Sequence, residues 1–173
     1  RYGNIGIEYE WVRDFFSKGD EFWENNELGT NKIKNIKSFL ADADIVVPKK
    51  LTITEFGRLI GRIGIESDTA WGLIVSNLVY TAEFNWWIMH TVTGEQYTPA
   101  QLIDKLQVDV SSANSQNHIV TAYKNIFASN EIMGKNLGLG ECELKPDSKN
   151  RVLISIYRGS WNTPDPQVIL YSL

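Results

Sequence analysis

From Thr69 to Gly94 the chain carries one formal charge, Glu83. So long an uncharged run has to be covered, by lipid or by the rest of the fold. Asn77, Asn85 and His90 interrupt it, and neither uninterrupted half reaches the roughly 20 apolar residues that a bilayer span requires. The run is therefore expected to be the buried centre of a globular fold. Ser67-Asp68 reads as the cap of a helix through Trp71, Ile74, Val75, Leu78 and Val79, and Phe84, Trp86 and Trp87 read as a second buried helix. With 173 residues and 43% hydrophobic content, the chain can supply a core around this centre, as one domain or two small ones.

On the N-terminal side, Ile5, Ile7, Tyr9 and Trp11 alternate like a short strand, and Val12, Phe15, Phe16 and Phe22 continue at helical spacing. Thr30 is the expected cap of a helix with Ile33, Ile36, Phe39 and Leu40 on one face, and Thr52 or Thr54 the cap of another through Phe56, Leu59 and Ile60. Together they suggest a helix-turn-helix-like block over residues 28–63. On the C-terminal side, Thr98-Pro99 starts a short helix to Leu106, and Ser111 or Ser112 caps a longer one to Ala128. Residues 141–145 and 151–157, separated by Pro146-Asp147-Ser148-Lys149-Asn150, read as a β-hairpin. The expected fold class is mainly α with a small β part (α+β): a helical body with winged-helix or helix-turn-helix-like units and a C-terminal β-hairpin. An internal boundary near Gly94 to Tyr97 divides it into lobes 1–95 and 96–173.

Charge is uneven. Residues 28–63 hold Lys32, Lys34, Lys37, Lys49, Lys50, Arg58 and Arg62 against Asp42, Asp44 and Glu55, a local net of +4 in a chain whose net is −4, which leaves −8 elsewhere. A basic surface on an acidic body is the electrostatic footprint of nucleic-acid binding. Lysines neutralise phosphates and asparagine amides pair with adenine. The expected nucleic-acid contacts are Asn31, Lys34, Asn35 and Lys37, with Lys49, Lys50 and Arg58 supporting the backbone. A solvated helix face would account for the same residues. A second polar helix face carries Asn114, Ser115, Gln116, Asn117, His118, Thr121 and Lys124.

Catalytic signals are poor. The single cysteine, Cys142, excludes an internal disulfide framework and any multi-cysteine metal site, and fits a reduced, cytoplasmic setting. Glu141 and Glu143 beside it disfavour a thiolate nucleophile. His90 and His118 lack a second ligand at metal-binding spacing, so no metal is expected. Gly138-Leu139-Gly140 lacks the Gly-Lys-Ser/Thr of a phosphate loop, and the acidic groups Glu8, Glu10 and Asp14, or Asp42 and Asp44, have no evident partner. Five of the tryptophans sit in apolar patterns. The sixth, Trp161, lies with Arg158 in a turn-rich loop and could anchor a partner domain. The start at Arg1, without methionine, suggests a fragment of a larger protein.

Several segments in order resemble a known family: Glu8-Tyr9-Glu10-Trp11-Val12, Leu28-Gly29 with Ile33 to Leu40, Leu51-Thr52 with Phe56-Gly57, Trp71-Gly72-Leu73-Ile74, Tyr123 to Phe127, and Pro164-Asp165-Pro166 to Leu170-Tyr171-Ser172-Leu173. They resemble the C-terminal region of large bacterial proteins of the phosphoadenosine phosphosulfate reductase family, and a related domain of unknown function that accompanies them. The resemblance covers nearly the whole chain. In that family the adenylyl-binding, sulfur-transfer chemistry belongs to a separate domain with a Ser-Gly-Gly motif and cysteines, neither of which is here. The resemblance thus implies a non-catalytic accessory domain, one associated with bacterial DNA-modification and phage-defence genes. The expected function is to bind DNA and position a linked reductase-like module. The alternative is a protein-interaction or scaffold domain that docks the catalytic region. No cofactor, small-molecule substrate or membrane contact is expected.

Overall fold

The computed structural model describes residues 2–147 and 151–173, so Ser148, Lys149 and Asn150 of the expected hairpin turn lie outside the described residues. The chain is an α+β fold, more than half helical, with one three-stranded antiparallel sheet. In order come α1 (Tyr9–Lys18), a 3-10 turn (Gly19–Trp23), α2 (Thr30–Asp42), α3 (Glu55–Ile63), α4 (Asp68–Leu78), α5 (Ala82–His90), β1 (Gln96–Tyr97), α6 (Pro99–Leu106), α7 (Ala113–Ser129), a π turn (Ile132–Asn136), β2 (Glu141–Pro146), β3 (Arg151–Tyr157) and α8 (Pro166–Ser172).

The uncharged run forms α4 and α5 at the centre. Trp71, Ile74, Leu78, Phe84 and Trp87 are buried there, in one hydrophobic cluster that also takes side chains from α1, α2, α6, α7 and β3. Within it the Trp87 indole nitrogen donates to the Leu139 carbonyl at 2.6 Å, and the Tyr123 hydroxyl to the Glu83 carbonyl at 2.6 Å, so each large aromatic is buried with its polar end satisfied. No helix among the described residues is long and apolar enough to cross a membrane.

Helix starts follow local chemistry. The Thr54, Ser67, Ser112 and Asp165 side chains each accept from a backbone N–H of the first turn. Thr98 and Gln101 form a reciprocal capping box with Pro99 in the first turn. Thr30 is an exception: it is the first helical residue, and Gly29 precedes it with no side-chain cap.

Two expected elements differ. Residues 2–8 form no strand, and Tyr9 already belongs to α1. Their carbonyls are met by side chains instead of a neighbouring strand. Asn35 Nδ2 donates to Tyr2 and Gly6, at 2.6 and 3.1 Å, and Asn125 Nδ2 donates to Ile5 at 2.9 Å. The segment is clamped between α2 and α7. Nor do α2 and α3 meet through a short turn of the helix-turn-helix type. Residues 43–54 make a small hairpin between them, with Val46 bridged to Ile53 and the Val47 N–H bonded to the Thr52 carbonyl at 2.9 Å. After α3 the chain enters α4 directly, so no hairpin of strands follows that block as a wing.

The sheet has the order β1-β3-β2. Register pairs Tyr97 with Ile156 and Cys142 with Ile156, and the β2–β3 ladder shifts between Glu143 and Leu144.

Candidate nucleic-acid interface

Helix α2 sorts its residues by face. Ile36, Phe39 and Leu40 enter the core, and Asn31 and Lys34 point to solvent. Lys32 and Lys37 lie between, each laid over an indole: Lys32 Nζ is 5.1 Å from the Trp11 ring centroid and Lys37 Nζ 5.6 Å from that of Trp23. The rings support the lysine stems, and neither ammonium makes an ion pair among the described residues.

Asn35 falls on the inner side. It is buried, and its amide is occupied by the Tyr2 and Gly6 carbonyls, so it holds the N-terminal segment and is withdrawn from the surface. Helical phase explains this, since Asn35 adjoins Ile36 and lies one turn before Phe39 on the core-facing stripe.

The hairpin between α2 and α3 turns at Pro48-Lys49-Lys50-Leu51, where the Leu51 N–H donates to the Val47 carbonyl at 2.9 Å. Lys49 and Lys50 are exposed at its tip. Lys49 and Leu51 adopt left-handed backbone, φ 69° and 58°, a conformation that costs a residue with a β-carbon about 1 kcal/mol. The Trp23 indole nitrogen donates to the Leu51 carbonyl at 3.3 Å and ties the tip to the aromatic beneath Lys37.

This geometry brings Lys37 and Lys49 to the lining of one depression of about 460 Å³, together with Ser38, Ala41, Pro48 and Leu51. Asp42 also lines it, with its carboxylate accepting from the Tyr2 hydroxyl at 2.8 Å. Among the described residues, Lys34, Lys37, Lys49 and Lys50 make no ion pair. Arg58 is different. Its guanidinium pairs with Glu55 at 2.9 Å one turn away, so its charge is answered on α3 itself. Ala41, Pro48 and Leu51 belong to the depression and were not among the expected contacts, whereas Ser38 shares the α2 face expected to be exposed. The helical spacing of Lys34 and Ser38 was the available signal.

No protein family, curated protein or solved structure matches this chain.

The second expected contact, Trp161, is half-buried. Its ring fills the notch over Gly72 of α4, where a β-carbon would lie 2.6 Å from the ring. Arg158 Nη1 donates to the Gly138 carbonyl at 2.7 Å, and burial pulls its guanidinium below its ordinary value. Both hold the C-terminal segment to the body.

The remaining reactive side chains are placed for structure. Burial pushes the Cys142 thiol up to about 12, and its Sγ faces the Lys124 carbonyl. His90 stacks on Trp86 with ring centroids 4.8 Å apart, its Nδ1 2.9 Å from the Trp86 carbonyl and its Nε2 3.5 Å from Asp109. His118 lines a small cavity with Tyr2, Ser115 and Ile119. No group of three or more His, Cys, Asp or Glu residues among those described could hold a metal ion.

Proposed function

We propose that this chain is an accessory domain that binds DNA and positions a linked sulfur-chemistry module of the phosphoadenosine phosphosulfate reductase type. One observation carries the DNA-binding part: Lys37 and Lys49 line a single depression, with Lys34 on the adjoining turn of α2 and Lys50 beside Lys49 at the hairpin tip. Cations that make no ion pair among the described residues suit a phosphate backbone, because each one that meets a phosphate releases a counterion. Asn31, on the same exposed face as Lys34, supplies an amide for a base edge or a phosphate. The linked module is a reading of the sequence resemblance alone.

The reading is tested by Lys34→Glu combined with Lys49→Glu. The double variant should lower duplex affinity at least tenfold and flatten its salt dependence. Affinity and salt slope equal to the parent chain would remove this surface from the account.

A second reading is a docking domain for a catalytic region. The outer face of α8 favours it, since Ile169 and Leu170 stand exposed on a helix whose inner residue Val168 packs against the body, and Leu173 just after it is exposed as well. Lysine substitutions without effect on DNA, together with loss of a partner on Leu170→Asp, would favour that reading.

A further inference from the structure

The elements from Ala82 onward run helix, strand, helix, helix, strand, strand, and β1 pairs with β3. A helix pair followed by a hairpin, with the preceding short strand closing the sheet, is the plan of a winged helix. In helix-turn-helix proteins the second helix of the pair enters the major groove of a duplex. We propose that α7 and the β2–β3 hairpin form a second duplex-DNA contact, in which α7 reads base edges and Lys124 and Arg151 hold phosphates. This contact is separate from the lysine surface of α2.

Helices α6 and α7 share buried contacts through Leu102, Leu106, Val120 and Tyr123 of the common core. The link between them is fixed at two points. The Trp86 indole nitrogen donates to Asp109 at 2.9 Å, and Gln116 Nε2 donates to the Val110 carbonyl at 2.6 Å. The start of α7 is therefore set rigidly against α5 and α6, as a helix that must enter a groove requires.

The outer face of α7 suits that groove. Asn114 and Asn117 are exposed, and Ser115, His118 and Thr121 are partly so. Asparagine pairs bidentately with adenine N6 and N7 in the major groove, and hydroxyls serve either base or phosphate. In a chain of net charge −4, α7 holds Lys124 and no Asp or Glu, so nothing on its own length repels a duplex.

The hairpin stands beside this face. A groove of about 600 Å³ separates α7 from β3, with Asn117, Thr121 and Lys124 on one wall and Arg151 on the other. Lys124 Nζ donates to the Arg151 backbone carbonyl at 3.4 Å, which sets the ammonium beside the start of β3. Asp147 also faces the groove, so Lys124 and Arg151 leave it with a net positive charge.

The test uses the whole chain and two short fluorescein-labelled duplexes, one all A·T and one all G·C, with anisotropy read across a salt series. The parent chain should prefer the A·T duplex. Asn114→Ala with Asn117→Ala should reduce that preference at least fivefold and leave the salt slope unchanged. Lys124→Gln with Arg151→Gln should flatten the log–log salt slope by about 2 on both duplexes. Arg151→Lys, which keeps the charge, should retain the slope and so separate lost phosphate contact from a disturbed hairpin. If both double variants match the parent chain while Lys34→Glu with Lys49→Glu weakens binding, this second contact is wrong and the α2 reading stands. The reverse pattern sinks the α2 reading and supports this one. A parent chain that binds neither duplex at low salt overturns both.

Discussion

One buried amide joins α2 to the N-terminal segment, and its loss has a definable cost. Asn35→Ala takes the side-chain donor from the Gly6 carbonyl and one of the donors from the Tyr2 carbonyl, which keeps the Gly6 N–H at 3.1 Å, and the cost is about 1 to 3 kcal/mol. For a chain of this size the melting temperature should fall by roughly 2 to 12 °C, while DNA affinity of the folded protein stays unchanged, and thermal unfolding beside a binding titration checks both. Lys49 gives the opposite case. Its left-handed backbone suits glycine, so Lys49→Gly should leave the melting temperature within about 2 °C of the parent yet weaken duplex binding. Cys142 tests burial directly. A thiol pushed up to about 12 is protonated throughout the neutral range, so iodoacetamide at pH 8 should alkylate the native protein about a thousandfold more slowly than the unfolded chain. The same shift favours the folded state fully below the unfolded value of about 8.5 and is lost as pH rises through about 12. Fast native alkylation would contradict this packing.

At the scale of elements, α8 is held to α4 by a ring in a notch. Gly72→Ala would place a β-carbon 2.6 Å from the Trp161 ring, an overpacking worth about 1 to 3 kcal/mol. Trp161→Ala empties the notch, and hydrogen exchange should then speed in α8 while α7 keeps its protection. Equal protection in both helices after either change would show that the notch does not secure α8. Most helices were legible because each start has a local signature, as in Thr98-Pro99 with Gln101 or Ser67 before Asp68. The N-terminal segment was not. Its alternation of Ile5, Ile7, Tyr9 and Trp11 is a strand signal, but the partners of its backbone, Asn35, Asn125 and Ser129, come from helices distant in sequence. Within the block expected to be helix-turn-helix-like, the extended Ile45 to Val47 and the turn at Pro48 to Leu51 were legible, but their closing into a hairpin was not. Thr52, Ile53 and Thr54 pair back on Ile45 to Val47, and no local signature announces that pairing.

Across the whole molecule, the charge asymmetry was legible and its geometry was not. A count of seven basic residues in one block cannot distinguish Lys34, exposed and unpaired among the described residues, from Arg58, answered by Glu55, or from the buried Asn35 within the same block. Tertiary packing made that selection, by turning Asn35 inward and folding Lys49 back towards Lys37. It also placed one core under both expected lobes, from Tyr2 to Val168, so the lysine surface rests on a shared and well-packed body. The measurement that bears most directly on the account is anisotropy of a labelled duplex titrated with the whole chain across a salt series, repeated with Lys34, Lys49 and Lys50 all changed to Glu. Micromolar or tighter binding is expected at low salt, with a log–log slope of about −3 or steeper that flattens by roughly 3 in the triple variant. Binding absent at low salt, or a slope that the triple variant leaves unchanged, would contradict DNA binding by this surface.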